Sequence, residues 1–332
     1  MARVYHRDQA GAPTLTYFPT NTAQAHFDAF RTVLKACLVS GYGAIPAAGW
    51  ELVHDAANSL VLRNGSHSGY VCFQRDSSGL TAITVWLAAT FTGVDADGKI
   101  MGDGVRSGTA ANSAVPQRIS VRGFVSYSAS STWSLVADSK SFCFSPSPSS
   151  SSTTGELIGN QGQSYEGNNL LYCGEDSAGD FVCIGGLNLA TASVSSATSY
   201  FNSDGFTALK YPDTGLLVDA AAISVSMPGC AFGNVALFSA FPAGVVFPDV
   251  RLSAPVWVAN GVVRTLRGLA FDPRMLYAFN SLASQALGGP ALTTRNLNTV
   301  LSLGDGHSYL VGRAFGYNAV TMLLTDNPEF WP

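Results

Sequence analysis

Residues 35–50 read KACLVSGYGAIPAAGW, and the fold turns on them. The first half closes a helical pattern. Phe27, Phe30, Val33, Leu34, Cys37 and Leu38 recur at three- and four-residue spacing, with His26, Asp28, Arg31 and Lys35 on the opposite side. The spacing predicts a helix over residues 21–39 with Thr22 as its N-cap. Gly41 stands where a left-handed C-terminal cap is expected, because glycine has no Cβ to clash at positive φ. Gly43 and Pro46 then redirect the chain, Ala47 and Ala48 allow close packing, and Trp50 anchors the first strand. The stretch reads as a hinge between helix and sheet, with Gly41, Gly43, Pro46 and Trp50 as its structural residues. It carries no nucleophile beside a base and no pair of metal ligands, and Cys37 falls on the apolar face.

Beyond Trp50 the rhythm becomes that of strands. Residues 50–54 and 59–63 flank a DAAN turn, and residues 70–74 and 80–91 flank Asp76-Ser77-Ser78-Gly79, which predicts an antiparallel meander packed against the helix. Residues 93–120 form a turn-rich excursion. Strand-like runs return at 119–127, 132–137 and 141–144, followed by the low-complexity SPSPSSSSTTGE at 145–156. Further strands are read in LLYCGED, DFVCIGG, ISVSM, NVALFSAF and VWVANGVVRTLRGLAF. Asn260-Gly261 is the strongest hairpin signal, residues 275–287 suggest a second helix, and 309–314 with 319–325 a closing hairpin. The expected class is α+β, mainly antiparallel β: a helix-plus-sheet domain at 1–144, a Ser/Pro-rich loop or linker at 145–168, and a β-rich, sandwich-like domain at 169–332.

Composition narrows the function. Only 12% of the 332 residues are charged, roughly half of ordinary usage. Such a surface is covered by small polar residues or by partner subunits, which fits a chain that lives in an assembly. A net charge of −4 provides no basic stripe, so direct nucleic-acid binding is not expected. The apolar stretch at 220–247 is broken by Pro228, Gly229, Gly233 and Pro242, and reads as strands and turns rather than a membrane span. The first residues lack the apolar core of a signal peptide, which suggests folding in a cytoplasm. Six cysteines show no CxxC; only Cys173 and Cys183 are close, flanking a tight turn, and most of the thiols read as small buried hydrophobes.

The motifs that would carry chemistry are incomplete. GVDADGKI at 93–100 has P-loop spacing, but Ile100 replaces the magnesium-binding hydroxyl, and Asp95 and Asp97 would repel phosphate. The same acids lack the ligand ladder of a calcium loop, although Asp95, Asp97 and Asp103 are candidates for a stray cation. His6, His26, His54, His67 and His307 form no zinc-type pair. Gly65-Ser66-His67-Ser68-Gly69 has histidine where a nucleophile elbow needs serine. Asn64-Gly65-Ser66 matches a glycosylation sequon without a secretory context. Trp50, Trp86, Trp133 and Trp257 read as core anchors, whereas Trp331 either tucks back or docks on a neighbour. No catalytic, cofactor-binding or metal-binding residues are assigned.

With its flanks the opening stretch reads FRTVLKACLVSGYGAIPAAGWELVHDAANSLVLRN. This resembles the N-terminal module, LLxACLVxGYGxxxAAGW, of a family of tailed-bacteriophage virion structural proteins. In that family a Gly-Ala-Pro segment precedes the helix, here Gly11-Ala12-Pro13. STWSLVADSKSFCF, LLYCGEDSAGDFVCIGG, RTLRGLAFDP and LLTDNPEFW are similar to later segments of the same family. The residues at 93–118 and 145–156 match no part of it. The resemblance implies a non-enzymatic virion component, made in the host cytoplasm, docking on other virion proteins and on copies of itself in a symmetric assembly. It implies no membrane insertion and no cofactor. Tail or baseplate is the expected position, with a capsid-surface decoration protein or a host-surface (polysaccharide or protein) binding module as alternatives, and residues 93–120 and 145–167 as contact arms. A depolymerase would instead need two carboxylates lining a cleft.

Overall fold

The computed structural model describes residues 1–15, 23–75, 82–108, 117–120, 132–147, 170–185, 187–188, 206–219, 223, 225, 252–270, 300–302, 304–313 and 321–332. The expected helix at 275–287, the N-cap Thr22 and most of the stretch at 220–247 lie outside them. In chain order the elements are β1 (Arg3–His6), α1 (Ala23–Lys35), β2 (Glu51–Ala56), β3 (Ser59–Arg63), β4 (Tyr70–Arg75), β5 (Ala82–Ala88), β6 (Gly93–Val94), β7 (Ile100–Met101), β8 (Gln117–Ser120), β9 (Thr132–Ala137) and β10 (Ser141–Ser147). They continue with β11 (Leu171–Glu175), β12 (Phe181–Ile184), β13 (Leu187–Asn188), β14 (Phe206–Ala208), β15 (Val256–Ala259), β16 (Val262–Thr265), β17 (Leu269–Ala270), β18 (Val300–Ser302), β19 (Ser308–Arg313) and β20 (Thr321–Thr325). The class is α+β and mainly antiparallel β, as the sequence predicts.

A central sheet runs β1-β9-β10-β11-β12-β14, and an outer sheet runs β13-β8-β5-β4-β3-β2. Strand geometry sends successive side chains to opposite faces, and in the central sheet both faces are buried. Trp133, Leu135, Phe142, Phe144, Leu171, Cys173, Phe181 and Cys183 face the first core, with α1 and the outer sheet. Val136, Cys143, Tyr172, Val182 and Ile184 face a second core, closed by Trp257 and by Leu269, Leu310 and Leu324. The last three belong to a C-terminal sheet ordered β17-β20-β19-β18. Helix α1 is held in the first core by aromatic contacts on two sides: the Phe30 ring is 5.2 Å from Phe73 of the outer sheet and 5.8 Å from Phe144 of the central sheet. The far face of the outer sheet buries Val61, Cys72 and Trp86 with Ile100 of the β6–β7 hairpin.

Strands from the two expected domains share one sheet. β10 and β11, on either side of the Ser/Pro-rich run, pair directly, with Phe142 opposite Cys173. Strand β1 pairs with β9, and the first core draws on residues from Tyr5 to Leu209. The chain between Ser147 and Leu170 therefore connects two neighbouring strands of one sheet. The described parts of the 93–120 excursion are also built into the fold, through the β6–β7 hairpin and the pairing of β8 with β5. His26, read from its spacing as solvent-facing, is 1% exposed, because the helix is covered on more than its apolar stripe.

Local turn chemistry follows the sequence closely. The β2–β3–β4–β5 meander is continuous, apart from a register shift between Leu52 and His54. Asn260 and Gly261 both take positive φ, 50° and 77°, the conformation that a two-residue hairpin of this hand requires. Among the described residues, no helix is long and apolar enough to cross a membrane.

Candidate functional site

The hinge stretch is where helix, strap and sheets are tied together. After Lys35 the helix widens into a π turn, Ala36–Ser40. Its last carbonyls are then satisfied by the returning chain: Ala48 N–H donates to Cys37 O at 2.9 Å, and the N–H groups of Gly49 and Trp50 donate to Leu38 O at 3.0 and 2.9 Å. Gly41 has φ 76° but ψ 174°, outside the left-handed helical region, so the expected cap is replaced by this backbone return. A Cβ on Gly41 would lie 2.6 Å from Ile45 O, and Tyr42 and Ile45 exchange backbone hydrogen bonds around Gly43 and Ala44.

The N-terminal strap lies on this loop. Arg3 Nη1 donates to Ala47 O at 2.8 Å and Tyr5 Oη to Pro46 O at 3.0 Å, so Pro46, though exposed, presents its carbonyl to the strap. Tyr42 Oη donates to Gln9 Oε1 at 2.5 Å. Gly43 approaches Ala10 so closely that any Cβ would strike its carbonyl. Burial pushes the Tyr5 phenol up to about 12, so it remains a neutral hydrogen-bond donor. Trp133 Nε1 caps Pro13 O at 3.0 Å. The Gly11-Ala12-Pro13 segment, the glycine loop and the Trp133 strand are thus mutually docked.

A second knot lies at the far end of the loop. Trp50 stacks edge-on against Phe142 at 5.2 Å and donates its Nε1–H to Asp138 O at 3.0 Å. The Asp138 carboxylate accepts from the backbone N–H groups of Lys140 and Ser141 at 2.8 and 2.9 Å. It also takes a two-pronged contact from Arg267, at 2.7 and 3.2 Å. Arg267 further donates to Ser141 Oγ at 3.0 Å and to Pro332 O at 2.8 Å, and its guanidinium lies 5.3 Å over the Trp331 ring. Trp331 Nε1 donates to Thr325 O at 2.7 Å, and Gly268, at φ +72°, leaves room for the Trp331 ring that any Cβ would penetrate. The terminal tryptophan therefore tucks back onto its own chain.

The Asp176–Asp180 turn completes the cluster. Asp176 Oδ1 accepts from Ala178 and Asp180 N–H at 2.8 and 3.0 Å, while Oδ2 accepts from Trp257 Nε1 at 3.1 Å. Burial raises Asp176 to about 6, against the pull of those backbone N–H groups and of Arg264. Ser177 exchanges hydrogen bonds with Thr265, and Arg264 pairs with Asp180 at 3.1 Å, which docks the turn on the β15–β16 hairpin.

The remaining chemical candidates do not converge. Asp95 caps its own turn by accepting from Asp97 and Lys99 N–H, whereas Asp103 pairs with Thr90 Oγ1. Among the described residues no group of three or more His, Cys, Asp or Glu side chains could hold a metal. His67 bonds Glu51 at 2.8 Å on the exposed rim, and His307 lies 3.9 Å from Asp326. Asn64, the sequon residue, is fully buried. Cys173 and Cys183 face each other across β11 and β12 as buried free thiols, pushed up by burial in the case of Cys173. Of the residues read as a hinge, Gly41, Gly43, Pro46 and Trp50 all lie in the first loop, and only Trp50 reaches the Asp138–Arg267 knot. Sequence reading gave Asp138 and Arg267 no individual role; the signal available was their place inside two of the motif segments.

Compared with protein-family models and with curated proteins, the chain matches none.

Proposed function

We propose that this chain is a non-enzymatic structural component of a tailed-phage virion, docking on neighbouring virion subunits in the tail or baseplate region. One observation carries the reading. The separated segments that resemble the virion family, Gly11–Pro13, Gly41–Trp50, Trp133–Asp138, Arg267–Gly268 and Trp331, meet in a continuous run of buried and partly buried contacts. A signature shared with an enzyme family gathers at reactive groups in a cleft. Here it gathers at glycines that permit close backbone approach, tryptophans that cap carbonyls, and an arginine whose three nitrogens all donate to protein acceptors. The signature is one of packing, and its value is to fix the chain ends and the loops that subunit contacts need held rigid. Scarcity of charge supports the same reading, because surface covered by neighbours has little use for solvated side chains.

Mass spectrometry of purified particles tests this: the chain is expected among their proteins in many copies, and its absence removes the virion reading. Incubating the purified protein with host surface polysaccharide is expected to leave the polymer intact. Released oligosaccharide would overturn the non-enzymatic role.

A further inference from the structure

Three polar side chains from distant parts of the sequence converge where β3, the β9–β10 turn and the end of β11 meet. Asn64 is fully buried. Its Oδ1 accepts from Ser68 N–H at 3.0 Å, which fixes the direction in which the amide faces. Nδ2 then has four oxygens around it: Ser66 Oγ at 2.8 Å, Ser68 Oγ at 2.9 Å, Lys140 O at 3.2 Å and Glu175 Oε1 at 3.3 Å. A carboxamide nitrogen carries only two hydrogens. Four acceptors suit a departing ammonium better than a resting amide. Glu175, whose side chain is 6% exposed, places its other oxygen, Oε2, 3.5 Å from Lys140 Nζ. One buried carboxylate therefore touches the amide nitrogen through one oxygen and the amine through the other. Ser66 Oγ also donates to Oε1, which holds the carboxylate in place.

We propose that Lys140 and Asn64 form an intramolecular isopeptide bond, with Glu175 as the catalytic residue that carries the proton between them. Glu175 Oε2 takes a proton from the Lys140 ammonium, and the neutral Nζ attacks Asn64 Cγ. Negative charge gathers on Oδ1, against the Ser68 N–H. The tetrahedral Nζ, still carrying two hydrogens, gives one to Nδ2, and the Cγ–Nδ2 bond breaks to release ammonia. That ammonia takes the proton held on Glu175 Oε2 and leaves as ammonium, which restores the carboxylate. In sum a carboxamide and an alkylammonium become a secondary amide and an ammonium ion, with no oxidant, metal or cofactor. The Lys140 side chain is 47% exposed, so packing does not hold its stem, and it can turn from the carboxylate to the carbon. Its own backbone carbonyl already contacts the Asn64 amide. The bond would tie the outer sheet, through the residue after β3, to the central sheet, through the β9–β10 turn. This inference stands whether or not the chain belongs to a virion.

Intact-mass measurement of the purified full-length protein tests it directly. The expected result is a chain lighter than its sequence by one ammonia, with a branched peptide joining Asn64 to Lys140 after digestion. Lys140→Arg, at a half-exposed position, and Glu175→Gln should each restore the full mass, with circular dichroism reporting that the fold is kept. A wild-type chain at full sequence mass, with Asn64 and Lys140 in separate peptides, overturns the proposal. So does a Lys140→Arg chain that still lacks one ammonia, or an Asn64 found hydrolysed to aspartate.

Discussion

Arg267→Ala removes the side chain on which the second knot depends. The Arg267 and Asp138 side chains are 4% and 12% exposed, so solvent cannot replace the lost partner. Breaking a buried ion pair from one side costs about 3–5 kcal/mol, because the remaining charge stays desolvated. Two further effects act in opposite directions. Asp138 keeps its hydrogen bonds from Lys140 and Ser141 N–H, which moderates the loss. The Trp331 ring loses its cation, and the Pro332 carbonyl its donor, which adds to it. The lower half of the range, about 3–4 kcal/mol, is the expected net cost. Unfolding entropy of about 2.1 cal/mol/K per residue gives about 0.7 kcal/mol/K for this chain, so the melting midpoint should fall by about 4–6 °C. The assay is thermal denaturation followed by far-ultraviolet circular dichroism and by tryptophan emission. Arg267→Met combined with Asp138→Asn, which removes both charges, should recover much of the loss. A midpoint within about 1 °C of wild type for Arg267→Ala, against the 4–6 °C expected from a buried pair, would refute the argument that this knot holds the fold.

Three other perturbations probe neighbouring parts of the account. Gly41→Val forces a β-branched residue to φ +76° with its Cβ 2.6 Å from Ile45 O, and should cost about 1–3 kcal/mol; an unchanged melting midpoint would count against the close approach. Gly268→Ala should undock Trp331, seen as a red shift in tryptophan emission and faster carboxypeptidase trimming of the C-terminus, with no shift expected if the ring does not lie on Gly268. Asp176, raised by burial to about 6, binds a proton in the folded chain that the unfolded chain has released above pH ~4. Its stabilising contribution is therefore full below pH ~4 and is lost as pH rises through about 6, by at most about 3 kcal/mol. Asp176→Asn should remove that dependence from a melting series between pH ~4 and ~7.5, and parallel wild-type and variant profiles would contradict it.

What the sequence made legible was local. The recurrence of Phe27, Phe30, Val33 and Leu34 placed α1, because helical spacing is a property of neighbouring residues. The Asn260-Gly261 turn and the meander from Glu51 to Ala88 were equally readable, since turn chemistry and alternation act over a few positions. The π turn at Ala36–Ser40 was not, because it depends on Ala48, Gly49 and Trp50 returning to satisfy its carbonyls. The pairing of β10 with β11 across the Ser/Pro-rich segment is not legible for a similar reason. Composition marks a segment without core-forming residues, but the pairing of Phe142 with Cys173 is decided by which faces two cores bury together. His26 was misplaced because spacing gives a helix face and cannot tell how many layers surround it. The knot itself joins Asp138 to Arg267 across 129 positions, and Asn64 meets Glu175 across 111, separations at which no local pattern exists. Trp331 was readable as a residue needing a partner, and only the fold shows that the partner is its own chain.

The central claim is a place in a particle. It is the proposal made above, and a reconstruction of purified tailed-phage particles found to contain the chain measures it most directly. The account predicts repeated copies of this fold in the tail or baseplate density, each touching its neighbours through surface outside the Asp138–Arg267–Trp331 knot. A complete particle map with every density assigned to other chains would contradict it.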